Sequence, residues 1–420
     1  MRHIRRLLAQ LCWAPVVVGV PLAAAQTAPK IPSPLAQFWL DVATHNLSIP
    51  GMEAMEESPM TGMMGNFFGA AKGPMGSPGK WLDTALYTRD KPGGSEAQHG
   101  IPAALQMGPS LPLVPVQAQP QGPRGPAAQR DEEPEKPKGR MLFYWGCSDI
   151  VRPGQPRVID FAKATPQDYA SFMVGRFAPD RGAKAVPGRS VWPNPKDSQR
   201  VPRDATLVGE HMVSGEGVPP SLRFALSSAY DFMPRLRMAA AGDIKAAIPV
   251  TWEGVSAAQA YFLTAMGSGQ GKDGAADMII WSSSTQPDPG WGLMDYLTPA
   301  RVEQLLQEKV VLAPDLRQCD IPAGIFASAQ GAMVRMIAYG PELNLTYPPR
   351  PSNPKLSWDP QWSVRLRLKS TSMTLLGEKA EAPARRARPE REAPAAPAES
   401  ATPLQDIVNP VNVLRGLFGR

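Results

Sequence analysis

"WSVRLRLKS", residues 362–370, alternates without a break: Val364, Leu366 and Leu368 fall on one side, Arg365, Arg367 and Lys369 on the other. A period of two is the repeat of a β-strand, whose successive side chains point to opposite faces of a sheet. An apolar face against a core and a cationic face against water is the expected reading. Short aromatic and β-branched runs bounded by Gly, Pro or Asp recur at 141–147 (MLFYWGC), 157–161 (RVIDF), 171–177 (SFMVGRF) and 206–213 (TLVGEHMV). The pattern continues through SLRFAL, AIPVTWE, AYFLTAMG, DMIIWSSS and AMVRMIAYG. Many short strands between turn signals predict a mainly β fold, drawn as two β-sandwich-like domains with short helical additions and long disordered Pro/Ala-rich segments.

Composition sets the boundaries. The first residues carry a basic start (MRHIRR), an apolar stretch and small residues ending at Ala25, the pattern of a signal peptide over 1–25. Export is therefore expected, to the periplasm or beyond, and no later segment is apolar enough to span a bilayer. Without Arg2, Arg5 and Arg6 the basic residues fall from 44 to 41 against 38 acidic ones, so the net charge drops from +6 to +3. That balance is too mild to argue for nucleic acid. The 48 prolines are more than twice the usual frequency of about 5%. They concentrate at 108–139 and 378–403, which read as solvated, extended chain.

Helical spacing is expected in two places. In "SPLAQFWLDVATHNL" (33–47) Leu35, Phe38, Trp39 and Val42 follow Ser33-Pro34 at intervals of three and four, which predicts an N-terminal helix. In "TPARVEQLLQEKV" (298–310) Thr298 is placed as N-cap and Pro299 at the first helical position, with Val302, Leu305, Leu306 and Val310 on one face. The resulting plan assigns 26–79 to a helix plus a Met/Gly-rich flexible segment and 80–220 to a β-rich domain interrupted by the Pro-rich loop 108–139. It assigns 221–377 to a sandwich with the helical insertion 298–310, 378–403 to a disordered tail, and 404–420 to a short apolar end able to make a weak surface contact.

One stretch carries a family resemblance. In "IPVTWEGVSAAQAYFLTAMG" (248–267), Val250 and Trp252 share a strand face, a turn of small residues follows, and Ala260, Tyr261 and Leu263 lie on the next strand. This resembles the B and C strands of fibronectin type III and similar immunoglobulin-like modules, in which a buried Trp faces the sandwich core. The resemblance extends loosely over 221–376. It implies a binding or spacing unit and no chemistry.

Candidate chemistry is sparse. Six of the 19 methionines lie in 51–76, and Met60, Met63 and Met64 come closest to a soft Cu(I) thioether site. The interleaved glycines suit a flexible tether equally, and methionines elsewhere sit in strand-like runs, so the tether is preferred. Cys12 would leave with the signal peptide. Cys147 and Cys319 remain and are expected to form a disulfide in an oxidising compartment. Only His45, His99 and His211 survive export, far apart in sequence, which argues against a histidine-built metal site. The best polar constellation is "GEHMVSGEG", with Glu210, His211 and Glu216, read as surface polar residues because neighbours in a strand face opposite ways. Trp192, Trp291 and Trp358, in Pro- or Gly-rich turns, are read as packing loops onto sheets. No phosphate cradle, nucleophile elbow or HExxH motif is present. No catalytic residue and no cofactor is expected. The function expected is a non-catalytic binding or structural module of the cell envelope, its partner an envelope protein or polysaccharide. A Met-rich copper-binding protein and a hydrolase without a recognisable motif are the alternatives.

Overall fold

A computed structural model describes residues 32–49, 67–72, 78–117, 138–172, 174–271, 274–353 and 356–376. The signal-peptide stretch, Met60, Met63 and Met64, most of the Pro-rich stretch 108–139, the 378–403 tail and the 404–420 end lie outside them. The described chain is mainly β. In chain order its strands are β1 (Ala36–Leu47), β2 (Gly79–Thr88), β3 (Ala97–Gly100), β4 (Ser110–Pro115), β5 (Arg140–Trp145), β6 (Arg157–Asp160), β7 (Ser190–Trp192) and β8 (Gly209–Gly215). There follow β9 (Arg223–Leu226), β10 (Met238–Ala240), β11 (Ile248–Trp252), β12 (Ala260–Gln270), β13 (Ala276–Ser282), β14 (Gln318–Ile321), β15 (Ala329–Tyr347) and β16 (Trp362–Leu376). Helices α1 (Pro166–Phe172) and α2 (Pro299–Gln307) complete the inventory.

Thirteen strands form one mixed sheet in the order β6-β5-β13-β12-β15-β16-β1-β2-β7-β4-β3-β8-β9, and β10-β11-β14 form a second, small one. β1 runs parallel to β16, and β5 parallel to β13; the other pairs are antiparallel. The two expected segments, 80–220 and 221–377, therefore contribute to one sheet, and the boundary at 220/221 does not separate two sheets. The sheet also packs on itself: Phe38 of β1 meets His99 of β3 at 4.9 Å and Phe224 of β9 at 6.3 Å between ring centroids. The main core lies on this side, where Phe38, Leu40, Val42, Leu366 and Leu368 meet Leu111, Leu113 and Phe224, together with Val250 and Trp252 of the small sheet.

Three local expectations are corrected. Residues 36–47 are strand, not helix. Phe38, Leu40 and Val42 alternate with Trp39, Asp41 and Ala43, and all six are buried, so a central strand covered on both faces mimics helical spacing. Residues 110–115, inside the stretch read as solvated, form β4 with Leu111 and Leu113 fully buried. Pro112 sits opposite Gln98, and its carbonyl accepts from Asn194 Nδ2 at 2.7 Å. Residues 171–177 are not a strand. The chain is helical over Pro166–Phe172 because Thr165 and Asp168 cap each other: Asp168 Oδ2 accepts from Thr165 N at 2.8 Å, and Thr165 Oγ1 accepts from Asp168 N at 3.3 Å. The second helix lies where the sequence placed it, with Thr298 accepting from Arg301 N and Val302 and Leu305 buried.

The stretch that resembles a fibronectin module places β11 in the small sheet and β12 in the large one, with Trp252 and Tyr261 5.5 Å apart. Trp192 is fully buried in β7, Trp291 opens a 3-10 turn, and Trp358 donates to the Pro348 carbonyl. Among the described residues no helix is long and apolar enough to cross a membrane.

Cys147, just after β5, is bonded to Cys319 of β14, with Cα atoms 5.0 Å apart. The bond ties the small sheet to the β5 side of the large one and closes a separation of 172 residues. Constraining so long a loop in the unfolded chain contributes at most about 5 kcal/mol. Unreduced peptide mapping is expected to show one Cys147–Cys319 linked pair, and a Cys147→Ser, Cys319→Ser double variant to lower the denaturation midpoint. Two freely alkylatable thiols in the folded protein would contradict both.

Candidate functional site

Strand register gathers the polar side chains. Across β15, β16, β1 and β2, Glu342 stands beside Arg367, Arg367 beside Asp41, and Asp41 beside Asp83. The neighbouring rows put Lys369 beside Ala43 and Thr371 beside His45. All project from the face opposite the apolar core, the one expected to meet water. It does not: Arg367 is 3% and Lys369 0% exposed. The alternation is as read, but a second layer covers the cationic face. That layer comprises residues 67–72, 180–184 and the turn around Trp291–Leu293 running into Tyr296.

The covering segments are held by polar contacts with the sheet. Asp83 accepts from Gly69 N at 3.1 Å and Ala71 N at 3.2 Å. His45 bonds Thr371 Oγ1 at 2.6 Å and the Ala70 carbonyl at 3.0 Å. Arg367 donates to both oxygens of Asp41 at 2.7 Å, and Ala183 N donates to the same carboxylate at 3.0 Å. Lys72 Nζ lies 3.4 Å from Asp41 and 3.0 Å from Asp180. The Tyr296 ring packs under both cations, 4.4 Å from Arg367 and 4.5 Å from Lys369. Gly182 is required by this closeness, since a Cβ there would lie 1.7 Å from Arg367 Nη2 and 2.3 Å from Asp41 Oδ2.

Burial redistributes protons. Desolvation, reinforced by Asp41 directly opposite, pushes the Asp83 carboxyl up to about 8, so it stays protonated near neutrality. Desolvation, with Lys369 and Arg335 nearby, brings His45 down to about 3 and leaves it neutral. Desolvation likewise lowers Lys369 to about 8 despite Asp295 at 3.6 Å. Arg335 is nearly sealed, brought by desolvation to about 10, and finds only the Met294 sulfur for its Nη1. Its Nε and Nη2 have no hydrogen-bond partner among the described residues. With Asp83 protonated, Lys72, Arg335, Arg367 and Lys369 face Asp41, Asp180, Asp295 and Glu342, so the charges of this layer balance.

Beyond its cover the same face opens into a groove. Toward the start of β1 and β16 the same sheet face emerges from its cover, where half-buried Gln37, Ser363 and Arg365 and the buried Trp39 lie beside Asn344 and Thr346 of β15. The loop carrying Asp180, Arg181, Gly182, Lys184 and Arg189 forms the other wall of a cavity of about 590 Å³. Arg189 stacks on Trp39 at 4.1 Å and gives one N–H to the Gly182 carbonyl at 3.3 Å. Partial desolvation lowers its pKa against the pull of Asp180 and Asp41. Arg365 donates to Asn344 Oδ1 at 2.8 Å and to the Arg181 carbonyl at 3.1 Å, with Glu342 3.5 Å away. Asp180 is shared among Lys72, Lys184 and Arg367.

The residues singled out from sequence lie elsewhere. Glu210 is exposed on β8, and Glu216 pairs with Lys91. His211 points inward and meets His99: His99 Nε2 and His211 Nδ1 are 3.0 Å apart, and His211 Nε2 is 2.8 Å from the Leu207 carbonyl. That carbonyl needs an N–H, so His211 Nδ1 accepts from His99 Nε2–H and both rings are neutral. Desolvation lowers both pKa values, that of His99 well below its usual range. The pair is sealed at 0% and 1% exposure, stacked on Phe224, and out of reach of a substrate. Among the described residues no group of three or more His, Cys, Asp or Glu is placed to hold a metal. Sequence reasoning missed Asp41, Asp83, Lys72, Arg189 and Arg367 as a site. The available signal was the RLRLK alternation itself, with a carboxylate in each of the two strands that follow β16 in the sheet.

The chain matches no family model, no curated protein and no solved structure.

Two outcomes follow for stability. Asp41→Asn leaves the Arg367 charge buried without its partner and is expected to cost about 3–5 kcal/mol in denaturant unfolding. Asp83→Asn replaces an already neutral group and is expected to cost far less at pH 5. The pH profile has two limbs. His45, His99 and His211 have folded pKa values below the unfolded 6.5, so the unfolded chain binds more protons and stability falls as pH drops below 6.5. Asp83 has a folded pKa above the unfolded 3.8, so the folded chain holds the extra proton and stability falls as pH rises toward about 8. Three groups outweigh one on the acid side. Denaturation midpoints are therefore expected to peak near pH 6.5, and Asp83→Asn to remove the decline between 6.5 and 8. A profile still falling there in the variant would refute the assignment.

Proposed function

We propose that the protein is an exported, non-catalytic binding module of the cell envelope, and that it holds its partner in the groove between the 180–189 loop and the open ends of β1, β15 and β16. The observation that carries this reading is the convergence of Arg181, Lys184, Arg189 and Arg365 on one cavity of about 590 Å³, within the usual range of ligand clefts. The signal-peptide pattern at 1–25 supports export. Two of the groove's cations are already fixed, Arg189 by stacking on Trp39 and Arg365 by hydrogen bonds to Asn344 and the Arg181 carbonyl, so these two lose little side-chain freedom when a ligand is engaged. The binding role requires no reacting group, and the strongly shifted titratable residues beside the groove, His45, Asp83 and Lys369, are sealed under the covering layer.

The test is retention of the purified full chain on washed envelope fragments in a sedimentation assay. The wild type is expected to sediment with the fragments, and an Arg181→Glu, Lys184→Glu variant to remain in the supernatant. Equal sedimentation of both would sink the groove as the binding surface. Detection of the mature chain in the cytosolic fraction alone would sink the export part of the reading.

A further inference from the structure

Resting on the groove as the binding surface, its chemistry narrows the ligand further. Its floor is one sheet face, so the side chains that rise from it are fixed by register: Gln37 and Trp39 from β1, Ser363 and Arg365 from β16, Asn344 and Thr346 from β15. Five of these six are polar, and four (Gln37, Asn344, Ser363 and Thr346) are neutral hydroxyls or amides that both donate and accept. Such a row suits a chain of ring hydroxyls and is wasted on a simple inorganic anion. The wall is different in kind. Arg181 is exposed, Lys184 is half-buried beside Asp180 at 3.5 Å, and Arg189 lies flat on Trp39 with a fork free of the Gly182 contact. Planar guanidinium groups held in place match the two oxygens of a carboxylate or phosphate.

We propose that the groove binds an acidic saccharide, with the sugar hydroxyls laid along the Gln37–Ser363–Thr346–Asn344 floor and the carboxylate or phosphate group turned to the Arg181–Lys184–Arg189 wall. A cavity of about 590 Å³ limits the bound part to a short segment of a few sugar rings, whether free or within a longer polymer. The Asp180 carboxylate is offset by Lys72 at 3.0 Å and Arg367 at 3.7 Å, both behind the wall. Binding to the wall depends on charges open to solvent, so it weakens as salt rises.

Calorimetric titration of the full chain distinguishes the possibilities, with four probes: a trigalacturonate, glucose 6-phosphate, maltotriose and the sugar-free acid tricarballylate. At least one of the first two is expected to bind at least tenfold more tightly than maltotriose and tricarballylate, and which of the two does so assigns carboxylate or phosphate. Arg181→Glu with Lys184→Glu is expected to weaken that binding tenfold or more. Thr346→Val is expected to weaken it several-fold while leaving thermal unfolding in place. Equal binding of maltotriose would remove the acidic group from the proposal, and equal binding of tricarballylate would remove the sugar. If no saccharide binds while the charge-reversed variant still loses its hold on envelope fragments, this inference fails and the groove remains a binding surface for something else. If the fragments are retained equally by both chains, the groove reading itself fails.

Discussion

The Arg367–Asp41 pair is the constraint on which the rest of this architecture depends. It joins two strands 326 residues apart in a parallel register, and it does so on a face cut off from water. A charge pair in such a place is a poor source of net stability, because desolvation of both ions offsets most of their attraction. Its effect is on register. A slip of one residue between β1 and β16 would set Arg367 beside an apolar neighbour and leave a buried guanidinium without a counter-charge. It also dictates the second layer. Two buried ions have lone pairs and N–H groups left over, and the covering segments satisfy them with Ala183 N, Gly182 backbone pressed close, and the Tyr296 ring.

The same layer explains the proton distribution. Asp41 and Asp83 stand directly opposite across β1 and β2, with Arg367 only on the far side of Asp41, and two buried carboxylates in that position cannot both ionise cheaply. Asp83 keeps its proton, and His45 stays neutral. The sealed region then holds Arg335, Lys369, Arg367 and Lys72 against Asp41, Asp180, Asp295 and Glu342. Where the cover ends, the groove is walled by Arg181, Lys184 and Arg189.

Much of the strand content was legible because period two is a local property. β5, β6, β11, β12, β13, β15 and β16 lie in or overlap the runs read as strands, and α2 carries its Thr298-Pro299 start and buried Val302 and Leu305 where the spacing placed them. The misses share a cause. β1 is buried on both faces, so it loses its alternation and Phe38, Trp39 and Val42 fall at helical spacing by coincidence. β4 was hidden by Pro112 and Pro115, whose missing N–H groups are compatible with a strand only when the neighbouring pairing tolerates it. The charged site was illegible for a different reason. Alternation says that Arg367 and Lys369 share a face, but whether that face meets water depends on segments near residues 70, 182 and 296, far from it in sequence. His99 and His211, dismissed as distant, illustrate the same limit: antiparallel pairing of β3 with β8 brings them together.

A buried charged layer and an exposed cationic groove on one sheet face are parts of a single device. A groove built of surface lysines alone would present mobile side chains, each losing rotamer freedom on binding. Here Arg189 is stacked on Trp39, and Trp39 is set by the strand that also carries Asp41. Arg365 is set by the strand that carries Arg367, and Asp180 bridges the two regions through Lys72 and Arg367. The ion pair thus fixes the positions of the strands and of the 180–189 loop, and through them the geometry of the cations that meet solvent. Losing Asp41 would accordingly act twice, on stability through the uncompensated guanidinium and on the proposed recognition through the loop that Ala183 N anchors to its carboxylate. The exposed Arg181 side chain belongs only to the second of these, which is why the two roles can be separated by mutation.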